Sequence, residues 1–220
     1  MAAPIKVAVA GASGRMGSTV CQAVEAADDM ELVGRADPEI GSSLEEAITG
    51  ADVLVDFSVP ASALDNARAA AKAGVDVVIG TTGFDTGELE SIEGANLFAA
   101  PNFAIGAVLM MRFAQEAAAS FPAAEIVELH HEAKLDTPSG TAALTARRMA
   151  DGLGSEPQVH SVRLPGVVAS QEVILGGPGE TLTIRHDTVN RECFMPGVLL
   201  AIRRVGALES SPVIGLENLL

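Results

Sequence analysis

The stretch Val7-Ala8-Val9-Ala10-Gly11-Ala12-Ser13-Gly14-Arg15-Met16-Gly17 decides the fold. An apolar run leads into glycines spaced three and three, and a helix-compatible stretch follows, through about Ala27. In a dinucleotide-binding βα turn the first glycine permits the tight bend and the second lets the backbone approach a pyrophosphate. The third lets the helix pack close to the sheet. The helix N-terminus supplies unpaired N–H groups and a positive dipole end for phosphate. Asp37 lies 20 residues beyond Gly17, at the end of the next apolar run, where a carboxylate can accept hydrogen bonds from ribose hydroxyls. Its charge opposes a 2′-phosphate and weighs toward NADH, with Arg15 and Arg35 near enough in sequence to offset it.

Working outward, strands are expected at Ile5–Ala10, Glu31–Ala36, Asp52–Phe57, Val75–Gly80 and Asn96–Ala100. Helical stretches at Leu44–Ile48, Ala61–Ala73 and Thr86–Glu93 fall between them. Strands alternating with helices imply βαβ units and a parallel sheet, and the Val/Ile-rich runs suit strands covered on both faces. The pattern changes near Pro101–Ile105. A long helix at Ile105–Ser120, a strand at Glu125–Glu132 and a helix at Ser139–Leu153 come next. Strands at Val159–Leu164, Glu172–Leu175 and Thr181–His186 then follow without intervening helices, before a last helix at Glu192–Val205. The expected architecture is α/β: a Rossmann-like doubly wound domain over 1–102 and an α+β domain with a mixed sheet over 103–205. The tail 206–220 is expected to return to the first domain.

Composition narrows the function. The 220 residues carry 29 acidic and 14 basic side chains, a net charge of -15, and 48% hydrophobic residues. The apolar content rules out whole-chain disorder. So acidic a chain, without a basic run, repels a phosphate backbone, so nucleic acid is not an expected partner. With only Lys6, Lys72 and Lys134 as lysines, the acid excess also suggests a salt-adapted surface. No apolar run approaches the ~20 residues a membrane helix needs, and no secretory leader is visible, so a cytoplasmic location is expected. Cys21 and Cys193 make neither a disulfide framework nor a zinc cluster.

The chemistry concentrates in Glu125-Ile126-Val127-Glu128-Leu129-His130-His131-Glu132-Ala133-Lys134-Leu135-Asp136-Thr137-Pro138-Ser139-Gly140-Thr141-Ala142. Strand alternation places His130 and His131 on opposite faces. Thr137 or Ser139 can cap the following helix, with Pro138 suited to its first turn. The amides near Ser139, Gly140 and Thr141 then form a carboxylate site beside the Lys134 charge, and a histidine can donate a proton at neutral pH. These residues suit an anionic substrate that must be protonated. His130 and His131 lack a third ligand at sensible spacing, so no metal is expected. Gly80-Thr81-Thr82-Gly83 and Ala100-Pro101-Asn102-Phe103 follow strands and face the same end of the sheet as the glycine turn.

This long central motif, with Gly11–Gly17, Gly80–Gly83, Ala100–Phe103, Arg163-Leu164-Pro165-Gly166, Gly179-Glu180 and Arg185-His186, resembles the 4-hydroxy-tetrahydrodipicolinate (dihydrodipicolinate) reductase family over nearly the whole chain. The resemblance implies NADH- or NADPH-dependent reduction of a cyclic dicarboxylate imine, with loss of water, on the diaminopimelate route to lysine. It implies His130 as proton donor and acceptor, Lys134 as the second catalytic residue, and His131 as a substrate contact. Gly140 and Thr141 match the pair that holds a substrate carboxylate. Gly11, Ala12, Ser13, Gly14, Arg15, Met16, Asp37, Gly80, Thr81, Thr82, Ala100, Pro101, Asn102 and Phe103 match cofactor contacts. A homotetramer joined through the second domain, and closure of that domain over both ligands, are also implied. Pro38 stands where some dual-specificity relatives carry a basic residue, which again favours NADH. The rival readings are a nicotinamide dehydrogenase for another small acid and a non-catalytic NAD-sensing module.

Overall fold

The computed structural model describes residues 3–220. They divide into two compact units, one of residues 3–103 with 194–220, the other of residues 104–193.

In the first unit, β1 (Ile5–Ala10), β2 (Met30–Ala36), β3 (Val53–Asp56), β4 (Asp76–Ile79), β5 (Leu97–Ala99) and β10 (Val213–Ile214) form one parallel sheet in the order β10-β5-β4-β3-β1-β2. Val7, Val9, Leu54, Val55, Val77 and Val78 are wholly buried. This follows from runs that are apolar on both pleat faces. From β1 the chain steps one way to β2 and, later, the other way to β3, β4 and β5. Right-handed crossovers therefore send α1 (Arg15–Glu25) to one face and, after the one-turn α2 (Leu44–Ala47), α3 (Pro60–Lys72) to the other. The reversal lies between β1 and β3, where a ligand cleft opens beyond the strand ends.

That topology explains why the last helix departs from expectation. Residues 194–205 were expected in the second domain, but α6 (Met195–Val205) packs in the first unit against α1, β3, β4 and β5. Because α3 and the segment after β4 both lie on the far side, these strands would be bare on α1's side. Met195, Val198, Ala201, Ile202 and Val205 cover them. Gly197 sits so close that an added Cβ would lie 2.1 Å from the Phe103 carbonyl oxygen. Arg203 also pairs with Asp29 at 2.7 Å.

Other boundaries shift for local reasons. Thr86–Ser91 is a 3-10 turn rather than an α-helix: Asp85 caps it through the Gly87 amide, and Leu89 is its one buried side chain. A second 3-10 turn, Pro38–Ile40, follows β2, with Asp37 as its cap.

In the second unit, β6 (Ala123–His130), β7 (Gln158–Arg163), β8 (Ala169–Gly177) and β9 (Glu180–Thr188) form a mixed sheet in the order β7-β6-β8-β9. β6 and β7 are parallel and the other pairs antiparallel. The β8–β9 hairpin is longer than the apolar runs foretell, because its outward face is polar and continues the alternation. It turns at Pro178-Gly179, with Gly179 at φ 82°, the positive φ that position requires. Two helices, α4 (Ile105–Ala118) and α5 (Gly140–Leu153), cover one face, Ala114, Ala118, Ala142, Ala146 and Met149 meeting Ile126, Val173 and Leu175.

Candidate active site

The nucleotide cleft is built by the β1–α1 turn. Gly11 has φ 73°, and an added Cβ would lie 2.4 Å from the Phe57 carbonyl oxygen; at Gly17 it would lie 2.0 Å from the Gly11 carbonyl oxygen. No side chain caps α1 at Gly14, so its first amides are left for a ligand. The cleft, about 700 Å³, is lined by Gly11, Ser13, Gly14, Asp37, Glu39 and Ser58 among others. Its glycine cradle and open helix end fit a dinucleotide pyrophosphate. Gly17→Ala should destabilise the unit by about 1–3 kcal/mol through this clash and weaken NADH binding; thermal unfolding and nucleotide titration would both respond.

Asp37 is buried, and its two oxygens accept from the Ser13 amide at 3.0 Å and the Glu39 amide at 2.9 Å. The Ser13 hydrogen bond, with that of Glu39, holds its carboxyl below the usual range despite burial, so it stays anionic at neutral pH. Glu39, which sequence reading passed over, places a second carboxylate 3.2 Å from the Ser13 hydroxyl. The 3-10 turn that Asp37 caps is what carries it there.

The other anticipated contacts are not equivalent. Arg15 is exposed on the first turn of α1, Met16 is half-buried and Ala12 is buried; none of the three lines the cleft. The Gly80 and Thr81 amides both donate to the Asp56 carbonyl, at 2.8 and 3.2 Å, so these residues can offer carbonyls rather than N–H groups. Asp56 is a buried hub: its side chain accepts from Ser58, Asn66 and Thr81, tying the loop after β3 to the loop after β4. Thr81, Thr82, Ala100 and Pro101 line a smaller cleft of about 280 Å³. Asn102 does not line it, and Phe103 is buried between Phe57 and Phe98, ring centroids 5.8 and 6.0 Å away, as packing behind the cleft.

In the second unit, β6 ends at His130, and His131 lies just past the strand rather than on its opposite face. The Lys134 amide closes a turn onto the His131 carbonyl at 3.1 Å, and the Lys134 ammonium meets Asp136 at 2.8 Å. Ser139 caps α5, its hydroxyl accepting from the Ala142 amide at 3.2 Å; Pro138 precedes the cap instead of entering the helix. Gly140 is exposed and Thr141 half-buried on the first turn.

Beneath them lies a group that the sequence did not single out. Glu128 is wholly buried, and both its oxygens are used. Arg163 Nη1 and Nη2 donate to them at 3.0 and 2.8 Å, the Ser139 amide donates at 3.3 Å, and His130 Nδ1 meets Oε2. Burial works against its charge, but Arg163, Ser161 and His130 outweigh it and hold the carboxyl below its usual range. Burial pushes His130 below the ordinary imidazole value, with Lys134 and Arg163 adding to the effect and Glu128 opposing it.

A dinucleotide cleft in one unit, and in the other a histidine held by a buried carboxylate on the segment that carries Lys134 and the α5 N-terminus, belong to a nicotinamide-nucleotide oxidoreductase. Residues 5–103 match the family model described as dihydrodipicolinate reductase, N-terminus, and residues 106–220 the one described as its C-terminus. The chain belongs to the dihydrodipicolinate reductase family. The 4-hydroxy-tetrahydrodipicolinate reductase of Thermobifida fusca is 48% identical, covering 98% of this chain and 99% of that one. That of Desulfitobacterium hafniense is 45% identical, over 98% of each. A dipicolinate-bound dihydrodipicolinate reductase from Paenisporosarcina sp. TG-14 superposes with a TM-score of 0.88 at 36% identity, covering 99% of this chain and 100% of that one.

Proposed function

We propose that this protein reduces 4-hydroxy-tetrahydrodipicolinate to tetrahydrodipicolinate with release of water, using NADH in preference to NADPH. The His130–Lys134–Ser139 cluster at the α5 N-terminus carries this reading. It pairs a proton donor with a carboxylate site in one local segment, within a chain that matches the family across both units. The nicotinamide nucleotide supplies a hydride when bound. Gly11, Ser13 and Gly14 would hold its pyrophosphate, and Asp37 and Glu39 would face its ribose.

On the substrate side, the Gly140 and Thr141 amides and the Lys134 ammonium bind a carboxylate and offset its charge. Electron density gained by the conjugated ring is quenched by a proton at the ring carbon, for which His130 is the donor. His131, at the same loop, is a further substrate contact. Because the histidine must arrive protonated, kcat/KM should fall as pH rises through a His130 pKa lying below the ordinary 6.5. A homotetramer joined through the second sheet is part of the proposal. α4 and α5 cover one face of that sheet, and Val127, Val162 and Ile174 lie on the other.

The reaction is tested by following NADH consumption in high potassium chloride. The substrate is generated in the cuvette from pyruvate and aspartate semialdehyde by a dihydrodipicolinate synthase. Consumption that depends on the synthase supports the reading; folded, NADH-binding protein that consumes nothing would overturn it. NADPH, run in parallel, should give a kcat/KM at least about tenfold lower, since two carboxylates face its extra phosphate. Glu39→Arg should narrow that gap.

A further inference from the structure

We infer that Glu128 and Arg163 are positioning residues: Glu128 fixes the proton-exchanging nitrogen of His130, and Arg163 ties the Lys134 loop to the same carboxylate. The inference rests on His130 being the proton donor. A buried carboxylate that accepts from a guanidinium and an amide is anionic and can only accept. His130 Nδ1, facing Glu128 Oε2, must therefore carry a hydrogen in both charge states of the ring. Exchange with substrate is left to Nε2. The same logic orients a catalytic histidine wherever a buried carboxylate stands behind it.

Arg163 extends the device. Beyond its two bonds to Glu128 it donates to the Asp136 carbonyl at 2.7 Å, the Lys134 carbonyl at 3.3 Å and the Val162 carbonyl at 2.8 Å. Two of these three carbonyls belong to the loop between His130 and the α5 cap. The Ser139 amide completes the loop's attachment to Glu128. One buried carboxylate thus sets the histidine, the lysine loop and the start of α5 relative to one another. A planar fork is needed to span these acceptors, which lysine lacks.

A pair that served only stability would hold the sheet but leave the histidine's tautomer free, and that difference is measurable. The chain has four histidines, so 15N-labelled protein gives a resolvable imidazole spectrum, with His130 assigned by its loss in His130→Gln. At a pH where the ring is neutral, His130 should be in the Nδ1–H tautomer, and Glu128→Gln should abolish that preference. An Nε2–H tautomer in the unsubstituted protein would overturn the inference, whatever substrate the enzyme takes, and this measurement does not depend on Glu128→Gln folding.

In the kinetics, Glu128→Gln should lower kcat about a hundredfold and leave NADH affinity unchanged. The charged groups facing His130 are Glu128 on β6, Arg163 on β7, and Lys134 with its partner Asp136 on the loop. Removing Glu128, the anion in direct contact with the ring, should move the fall of kcat/KM to lower pH. Arg163→Lys should raise KM for substrate about tenfold with a smaller effect on kcat. Folded Glu128→Gln with the kcat and pH profile of the unsubstituted enzyme would overturn the inference as surely as the wrong tautomer.

Discussion

His130→Gln should lower kcat about 10²- to 10⁴-fold while leaving NADH affinity unchanged. Glutamine approximates the reach of the ring and can still donate an N–H to Glu128, so the buried carboxylate keeps a partner and the fold is spared a lone buried anion. What it lacks is a proton that can be released near neutral pH. The loss should therefore fall on turnover, and the descending limb of the pH profile assigned to the imidazole should vanish with it. Steady-state rates across pH provide the measurement. Nucleotide binding can be followed by NADH fluorescence, and bound nucleotide stands out in the near-ultraviolet absorbance because the chain has no Trp or Tyr. Turnover at the unsubstituted level would remove His130 from the mechanism.

Lys134→Ala should reduce kcat/KM by about 2–4 kcal/mol, roughly 30- to 1000-fold, through substrate binding and turnover together. Its ammonium is the only lysine charge in the second unit and is held by Asp136 beside the α5 N-terminus. The helix amides can orient a carboxylate, but they carry only a partial charge and cannot replace a full one as charge rises on the ring. Asp136 is exposed, so losing its partner should do little to stability. NADH affinity should not change; if it fell instead, Lys134 would belong to the nucleotide site.

The parts of this molecule that were legible in the sequence are those whose logic is local. Gly11, Gly14 and Gly17 lie within one turn: Gly11 takes the positive φ of the bend, and Gly14 and Gly17 both face the Gly11 carbonyl. His130, Lys134 and Ser139 likewise sit on a single strand-loop-helix segment, so spacing alone brings them together. Glu128 and Arg163 were not legible as partners, because their meeting depends on the register of β6 against β7, which sets His130 opposite Arg163. No periodicity within either strand encodes that alignment. The placement of α6 was hidden for a similar reason. An apolar stripe reports that a helix is buried, whereas the surface it covers follows from the handedness of crossovers elsewhere in the chain. Glu39 was missed because sequence spacing does not reveal that a cap at Asp37 folds the next two residues back over Ser13.

The return of α6 and β10 to the first sheet carries a consequence for how the protein is made. The strands and glycine turn of the nucleotide-binding unit leave the ribosome first, yet β3, β4 and β5 keep one apolar face uncovered until residues 194–220 have emerged. The intervening unit, residues 104–193, is contiguous and can complete its own core before that. At about 5–20 residues added per second, the earlier half must wait several seconds, apolar side out, for its last helix. The piece begun first is finished last, and a nascent chain stalled before Met195 would present that bare face to chaperones.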